Sequence, residues 1–163
     1  MKTFNITVEM LKSKGACMGG MRDFLERYPK EQYPDGVDYQ ELLDACAAND
    51  RDEYGSWLLS AIGRTSAVLE MDEIDSEKSI FFSGSIRCKG AIKCARGINA
   101  GSGINAGWGI KAGWGIKAGE GIEAGWGIEA GWGIKAGWGI NAGEDINAGE
   151  GINAGLDYGI HAG

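Results

Sequence analysis

Isoleucine recurs at every sixth position through the second half of the chain, and this spacing limits the fold more than any other feature. The repeating unit is Ile-x-Ala-Gly-x-Gly, as in residues 110–115. A short, regular period is typical of stacked repeats, because one unit cannot bury its apolar side alone whereas a stack of units can. The fourteen members of the series are Ile74, Ile80, Ile86, Ile92, Ile98, Ile104, Ile110, Ile116, Ile122, Ile128, Ile134, Ile140, Ile146 and Ile152.

Each unit has the pattern of a short strand followed by a turn. In Ile-x-Ala the first and third side chains lie on one side of an extended strand, and the middle side chain lies on the other. The Gly-x-Gly that follows permits a sharp turn if its glycines adopt positive φ. These features predict a β-solenoid with Ile and Ala inside. The middle positions, which we expect outside, are all polar: Asn99, Asn105, Lys111, Lys117, Glu123, Glu129, Lys135, Asn141, Asn147 and Asn153.

The outward charges bear on the number of units in each coil. If two units form a coil, Lys111 lies beside Glu123 and Lys117 lies beside Glu129. If three units form a coil, Lys111 lies beside Glu129, but Lys117 lies beside Lys135. Since unlike charges on neighbouring strands attract and like charges repel, the pattern favours two-sided, 12-residue coils. Three-sided, 18-residue coils remain the alternative.

The first half of the chain differs in charge and in pattern. Residues 1–73 carry 8 Lys or Arg and 14 Asp or Glu, whereas residues 74–163 carry 8 and 9. Apolar residues at helical spacing, together with N-cap and glycine stop signals, predict four short helices. Pro34 and Gly36 predict a turn at 33–36. The helices are expected from Thr7 to Gly15, over 18–28, from Asp38 through Ala48, and over 53–62 with Gly63 at the end.

We therefore expect an α+β fold, with an acidic α-helical domain at residues 1–73 followed by a hexapeptide-repeat β-solenoid at residues 74–163. The repeat frame breaks at residues 156–158 (Leu-Asp-Tyr), which predicts a C-terminal cap. The basic residues of the first coils either serve solubility or dock the acidic helical domain. These residues are Arg87, Lys89, Lys93 and Arg96.

Composition argues against most chemical functions. His161 is the single histidine of the sequence, and the pattern indicates no catalytic partner for it. The cysteines fall on apolar positions without a secretory signal, so we interpret them as reduced, buried thiols. No apolar run reaches membrane-spanning length, and the net charge of −7 opposes binding through phosphates. We expect no enzyme activity, cofactor, metal, direct nucleic-acid binding or membrane association. The cysteines are Cys17, Cys46, Cys88 and Cys94.

Two groups of residues are candidates for binding a protein partner. Tryptophan is enriched in binding hot spots, and coils of two units would stack Trp114, Trp126 and Trp138 along one edge. The acidic residues of the helical domain could compete for a basic surface that binds nucleic acid. The alternative for the indoles is that they shield the turns or pack on each other. The candidates are Trp108, Trp114, Trp126, Trp132, Trp138, Asp35, Asp38, Glu41 and Asp44.

The N-terminal half carries several short motifs together. They are Ile-Thr-Val-Glu-Met-Leu at 6–11, Gly-Ala-Cys at 15–17, Phe24, and Asp-Glu-Tyr-Gly-Ser-Trp-Leu-Leu at 52–59. With these motifs, residues 5–62 resemble a small helical module that begins many phage-encoded proteins of unassigned function, often ahead of short Gly-rich repeats. Met-Gly-Gly-Met at 18–21 departs from that module, which is more polar there. The resemblance implies a phage or prophage origin and no catalytic residues.

Three functional hypotheses follow. The first is a non-enzymatic protein-binding protein that, given a phage-like origin, acts in the bacterial host cytoplasm as an anti-CRISPR-type inhibitor. It would occlude a functional surface of a bacterial defence protein, such as a nuclease or a CRISPR effector. The second is a structural, self-assembling solenoid that forms homo-oligomers, because open solenoid ends with opposite charges favour stacking. The third is glycan binding through a ladder of tryptophans.

Overall fold

The computed structural model describes residues 4–155 and 159–163. The chain begins with a helical domain, in which the short antiparallel strands β1 and β2 pair beside the helices. The elements are β1 (Asn5–Ile6), α1 (Val8–Ser13), α2 (Met18–Arg27), β2 (Val37–Asp38), α3 (Tyr39–Ala48) and α4 (Asp52–Ile62). The four predicted helices are confirmed, with limits within a residue or two of those expected from the cap and stop signals.

The helix ends use the predicted signals. The Thr7 hydroxyl accepts the Met10 backbone N–H at 3.2 Å, so α1 begins where an N-cap residue satisfies a free donor. The Asp38 carboxylate accepts the backbone N–H of Gln40 at 3.0 Å and caps α3 in the same way. Glycines with positive φ follow α1, close the turn before β2 and follow α4, since glycine adopts this conformation without steric cost. They are Gly15 (φ 77°), Gly36 (φ 84°) and Gly63 (φ 94°).

The rest of the chain is a parallel β-solenoid with three faces. The first face contains β4 (Ile74–Ser76), β7 (Ile92–Cys94), β10 (Ile110–Ala112), β13 (Ile128–Ala130) and β16 (Ile146–Ala148). The second face contains β5 (Ile80–Phe82), β8 (Ile98–Ala100), β11 (Ile116–Ala118), β14 (Ile134–Ala136) and β17 (Ile152–Asn153). The third face contains β3 (Val68–Met71), β6 (Ser85–Cys88), β9 (Ile104–Ala106), β12 (Ile122–Ala124), β15 (Ile140–Ala142) and β18 (Ile160–Ala162).

The α+β class and the solenoid are confirmed, but the preference for 12-residue coils is wrong. Ile110 pairs in register with Ile128, and Ile116 with Ile134, so three units separate neighbouring positions of the stack. The charge argument failed because an outward charge pair on neighbouring strands contributes only about 0.2–1 kcal/mol. Three Ile-x-Ala strands per coil enclose a wider apolar interior, and the burial of each isoleucine contributes about 2 kcal/mol. The free energy gained by burying the isoleucines outweighs the repulsion between Lys117 and Lys135.

The solenoid core consists of stacked isoleucines and small residues. The isoleucines of the inner coils, such as Ile110 and Ile128, are 1% exposed, and the alanines two positions later are almost as deeply buried. Cys88 and Cys94 occupy alanine positions and are buried too, which agrees with their interpretation as small core residues. At the far end of the stack, Ile146 and Ile152 are half-buried and Ile160 is 45% exposed.

The glycines of the repeat serve close packing between coils rather than positive φ, which corrects the sequence-based explanation. Among the described residues, the glycines with positive φ are Gly15, Gly36, Gly63 and Gly159, and none of them belongs to an Ile-x-Ala-Gly-x-Gly unit. A Cβ on Gly125 would overlap the carbonyl oxygen of Gly107, one coil earlier. The coils stack at strand spacing, about 4.8 Å, and this distance leaves no room for a side chain there. The same overlap, with the carbonyl of the equivalent residue one coil earlier, applies at Gly119, Gly131, Gly137, Gly143 and Gly149.

The helical domain is joined to the first coils of the solenoid through the second face. Phe81 occupies an outward position of β5, yet it is buried in the helical core. It packs against α4 at Gly55, where a Cβ would lie 2.8 Å from the Phe81 ring. Gln40 of α3 completes the free edge of β5, because its amide donates to the Phe81 carbonyl at 2.8 Å and accepts the Ser83 N–H at 3.0 Å.

The solenoid begins earlier than the boundary near residue 73 that the sequence suggested. β3, at Val68–Met71, already pairs in register with β6. Its sequence lacks the Ile-x-Ala-Gly-x-Gly unit, so the period could not reveal it. The cap predicted at residues 156–158 lies outside the described residues.

Candidate binding surface

The variable residue of each Gly-x-Gly lies at a corner between two faces, and equivalent corners stack along the solenoid. The first corner, between the first and second faces, carries Lys78, Arg96, Trp114, Trp132 and Glu150. The second corner, between the second and third faces, carries Gly84, Ser102, Glu120 and Trp138. The third corner, between the third and first faces, carries Gly90, Trp108, Trp126 and Glu144.

The tryptophans form two stacked pairs and not the single ladder predicted for two-sided coils. Trp114 and Trp132 stack at the first corner, with ring centroids 5.2 Å apart and an interplanar angle of 3°. Trp108 and Trp126 stack at the third corner, at 5.5 Å and 7°. Trp138 stands at the second corner, one coil beyond Glu120. The ladder prediction is wrong because it assumed two units per coil, which would have placed three different corners on one edge.

The indoles are held in order but remain accessible. Trp126 and Trp132 are 55% and 53% exposed, and Trp108 and Trp138 are similarly open. Trp114 is more covered, since the Arg96 guanidinium lies 5.0 Å from its ring centroid. The stacking fixes the ring orientations before any partner arrives, which lowers the entropy cost of binding through them.

Arg96 also ties the first corner to the helical domain. Its guanidinium lies 2.7 Å from the Asp50 carboxylate and 3.2 Å from the Asp52 carboxylate, at the start of α4. Lys78 lies 2.7 Å from the same Asp50 oxygen, and these two cations lower the pKa of Asp50. Asp52 accepts a further hydrogen bond from Ser79. The hypothesis that the basic first coils dock the acidic domain therefore holds for Arg96.

Two other basic residues of the first coils pair within the solenoid instead. Lys89 lies 2.7 Å from the carboxylate of Asp72, and Arg87 lies 3.9 Å from that of Glu70. Both pairs are on the surface, where an ion pair contributes little to stability.

A groove of about 1120 Å³ runs along the second face between α4 and the first corner. Trp114 and Trp132 line one wall, and α4 lines the other. Lys117, on the floor, donates to the Ser60 hydroxyl of α4 at 3.4 Å. Glu53 and Glu150 also line the groove. The floor consists of the outward residues Asn99, Lys117, Lys135 and Asn153.

Of the four acidic candidates, Asp38, Glu41 and Asp44 line one surface pocket beside α3, and Asp35 does not line it. Asp38 caps α3, and Asp44 accepts the Gln40 amide at 2.8 Å, which positions the residue that completes β5. Burial is the main cause of the raised pKa of Asp44. Asp35 lies in the turn, where its backbone carbonyl accepts from Asn5, and Glu41 is exposed in the first turn of α3. Two of the four carboxylates thus hold the local structure.

No cluster of His, Cys, Asp and Glu suited to a metal ion occurs among the described residues. Cys46 is buried between the helices, which raises its thiol pKa to about 12. His161 lies on the third face, in register with Asn141. Within the same part of the chain, no helix is both long and apolar enough to cross a membrane.

Comparison with protein-family models, with curated proteins and with solved structures gives no match for this chain.

Sequence reasoning missed the roles of several residues that shape this surface. Arg96 was recognised only as one of several basic residues, and Gln40 was not considered. The sequence identifies Lys117 and Lys135 as outward residues, but the charge comparison counts their adjacency against three-sided coils. Their juxtaposition in three-sided coils was the available signal for a like-charge pair on the second face.

Proposed function

We propose that this protein is a non-enzymatic binding protein that uses the corners of its solenoid to occlude a surface of a protein partner. The observation that carries the proposal is the set of half-exposed indoles at Trp108, Trp126, Trp132 and Trp138, the first three of which are held in stacked pairs. Rigid, exposed tryptophans on a stiff scaffold are the kind of anchor that dominates protein interfaces. The resemblance of residues 5–62 to phage-encoded modules supports a bacterial host protein as the partner.

The specific form of the proposal is an inhibitor of a bacterial defence protein, such as a nuclease or a CRISPR effector, acting in the host cytoplasm. We would express the protein in bacteria that restrict a phage through such a system, and measure plaquing efficiency with and without the system. The wild-type protein should restore plaquing only where the defence is present. The variant Trp108→Ala/Trp126→Ala/Trp132→Ala/Trp138→Ala should not.

The matched control is Met18→Ala, which removes a 90% exposed apolar side chain from the helical domain. It should restore plaquing as the wild type does, and circular dichroism should show that all variants keep the fold. Failure of the wild-type protein to restore plaquing against any of the tested systems would refute the inhibitor proposal. Full activity of the fourfold variant would refute the role of the tryptophans.

A second candidate function, self-assembly, is favoured by the exposure of core side chains in the outermost strands. Ile160 is 45% exposed and Ile146 and Ile152 are half-buried, whereas equivalent isoleucines further inside are 1% exposed or less. Apolar strand edges of this kind pair readily with another chain. Sedimentation analysis should then give a mass that rises with concentration, and Ile160→Lys should reduce it to that of one chain. A constant mass of one chain would exclude this candidate.

A further inference from the structure

The three outward columns of the solenoid differ in how their charges are balanced. On the first face, Lys111 lies 2.9 Å from the Glu129 carboxylate. On the third face, Arg87 lies 3.9 Å from Glu70, and Asn105 donates to Glu123 at 2.9 Å. The second face alone has an outward column that holds two cations and no carboxylate over the coils from Asn99 to Asn153. The column consists of Asn99, Lys117, Lys135 and Asn153.

The two lysines of that column are direct neighbours. Lys117 and Lys135 pair in register on β11 and β14, so their side chains leave the sheet on adjacent coils. Like charges placed directly beside each other on a sheet destabilise it. Neither lysine forms an ion pair with a carboxylate of the described residues, and the 3.4 Å contact of Lys117 is with the neutral Ser60 hydroxyl. Two lysines on adjacent coils, without a carboxylate partner, can attract an anion to the floor of the groove.

The surroundings indicate which kind of anion fits. Asp50 and Asp52 also line the groove, but they already form ion pairs with cations of the first coils, and Asp52 accepts a hydrogen bond from a hydroxyl there. Glu53 and Glu150 also line the groove, and together with the net charge of −7 they repel a ligand that is negative along its whole length. A mostly neutral segment with one or two carboxylates meets the lysines and avoids this repulsion. The half-exposed ring of Trp132 offers an apolar contact on the same groove.

The floor also sets the length of the occupant. Asn99 and Asn153 are separated by three coil steps, or about 14 Å at strand spacing. An extended peptide covers this distance with about four or five residues. A segment of this length can be part of a larger protein.

We propose that the groove on the second face binds a short acidic segment of the protein partner, with Lys117 and Lys135 holding its carboxylates and Trp132 contacting an apolar side chain between them. This inference rests on the proposed function as a protein-binding protein, and it adds the chemistry that the partner must present. The lysines attract carboxylates, and the groove glutamates together with the net charge of −7 disfavour a nucleic acid, which is negative along its whole length.

The direct test is titration of the full chain with the peptide acetyl-Gln-Glu-Leu-Glu-Gln-amide at low ionic strength, followed by tryptophan fluorescence and calorimetry. The matched peptide acetyl-Gln-Gln-Leu-Gln-Gln-amide should not bind. Lys117→Gln/Lys135→Gln should weaken binding of the acidic peptide at least tenfold. Lys111→Gln removes a lysine from the first face, where Glu129 already balances it, and should leave the affinity unchanged. Circular dichroism should show the same fold for each variant.

Three results would overturn the inference: no binding of the acidic peptide, equal binding of both peptides, or unchanged affinity in the double lysine variant. Tighter binding of oligo-dT than of the peptide, lost in the same variant, would assign the groove to nucleic acid instead. The plaquing assay separates this inference from the proposed function. Full plaquing activity of Lys117→Gln/Lys135→Gln, with activity lost in the fourfold Trp variant, would refute the groove and leave the function standing.

Discussion

The guanidinium of Arg96 lies 5.0 Å from the ring centroid of Trp114, and the same group bridges Asp50 and Asp52 of the helical domain. Arg96 therefore covers the Trp114 end of the Trp114–Trp132 stack and connects this stack to α4. A cation over an indole ring contributes about 0.5–1 kcal/mol at an accessible site. The contact couples the orientation of the tryptophans to the position of the helices.

Arg96→Ala should loosen this connection. We expect faster amide hydrogen exchange in α4 and a changed tryptophan emission, because α4 loses its guanidinium partner and Trp114 becomes more exposed to water. The free energy of unfolding should fall by about 1 kcal/mol, since the Arg96 guanidinium is partly exposed. Arg87→Ala, on the third face, is the control and should leave exchange in α4 unchanged. Equal effects of both variants would contradict the bridging role.

Gly125→Ala should strongly destabilise the solenoid, because its Cβ would overlap the Gly107 carbonyl of the neighbouring coil. Overpacking of this kind costs about 1–3 kcal/mol, measurable by chemical denaturation. Gly151→Ala is the control, since its Cβ would meet nothing within 4 Å. It should be neutral or slightly stabilising, because alanine restricts the unfolded chain. Similar losses in both variants would indicate that conformational freedom, and not coil contact, selects glycine.

A double-mutant cycle tests the coil length. Lys111 and Glu129 are in-register neighbours in three-sided coils, so Lys111→Gln and Glu129→Gln should show a coupling of about 0.2–1 kcal/mol in urea unfolding. Lys111→Gln and Glu123→Gln, which would be neighbours in two-sided coils, should be additive. Coupling in the second cycle and none in the first would contradict the three-sided arrangement.

Gln40→Leu should destabilise the chain by about 1–3 kcal/mol, because the Phe81 carbonyl and the Ser83 N–H lose their partners at the free edge of β5. Differential scanning calorimetry would measure the shift of the transition. Gln32→Leu changes an exposed glutamine and should have little effect. An unchanged transition in Gln40→Leu would mean that water replaces the amide without cost.

The local elements could be predicted from the sequence because their signals are short in range. Thr7, Asp38, Gly15 and Gly63 mark helix ends through contacts a few residues away, and the Ile period marks the strands through alternation of side chains. These signals determined four helices and a solenoid. They could not determine the earlier start at β3, whose residues belong to the stack only through pairing with β6.

The candidate site was predicted in part. The sequence identified the tryptophans as corner residues between strands, because the alternation of Ile-x-Ala leaves the Gly-x-Gly outside the core. It did not predict which tryptophans stack, because Trp108 meets Trp126 only when three units close each coil. The sequence predicted the Asp38 cap of α3, and the structure confirms it, but the hydrogen bond between Asp44 and Gln40 could not be predicted from charge or spacing.

The sequence by itself thus determined the repeat, the inward and outward positions within each unit, and the helical domain at the beginning of the chain. Only the tertiary structure decided the number of faces, the pairing of Lys117 with Lys135, and the attachment of the helices through Phe81 and Arg96. The physical reason is the difference in energy scale and range. The burial of a stack of isoleucines is a sum of many contacts distant in sequence, and it outweighs the small charge terms that a reading along the chain can compare.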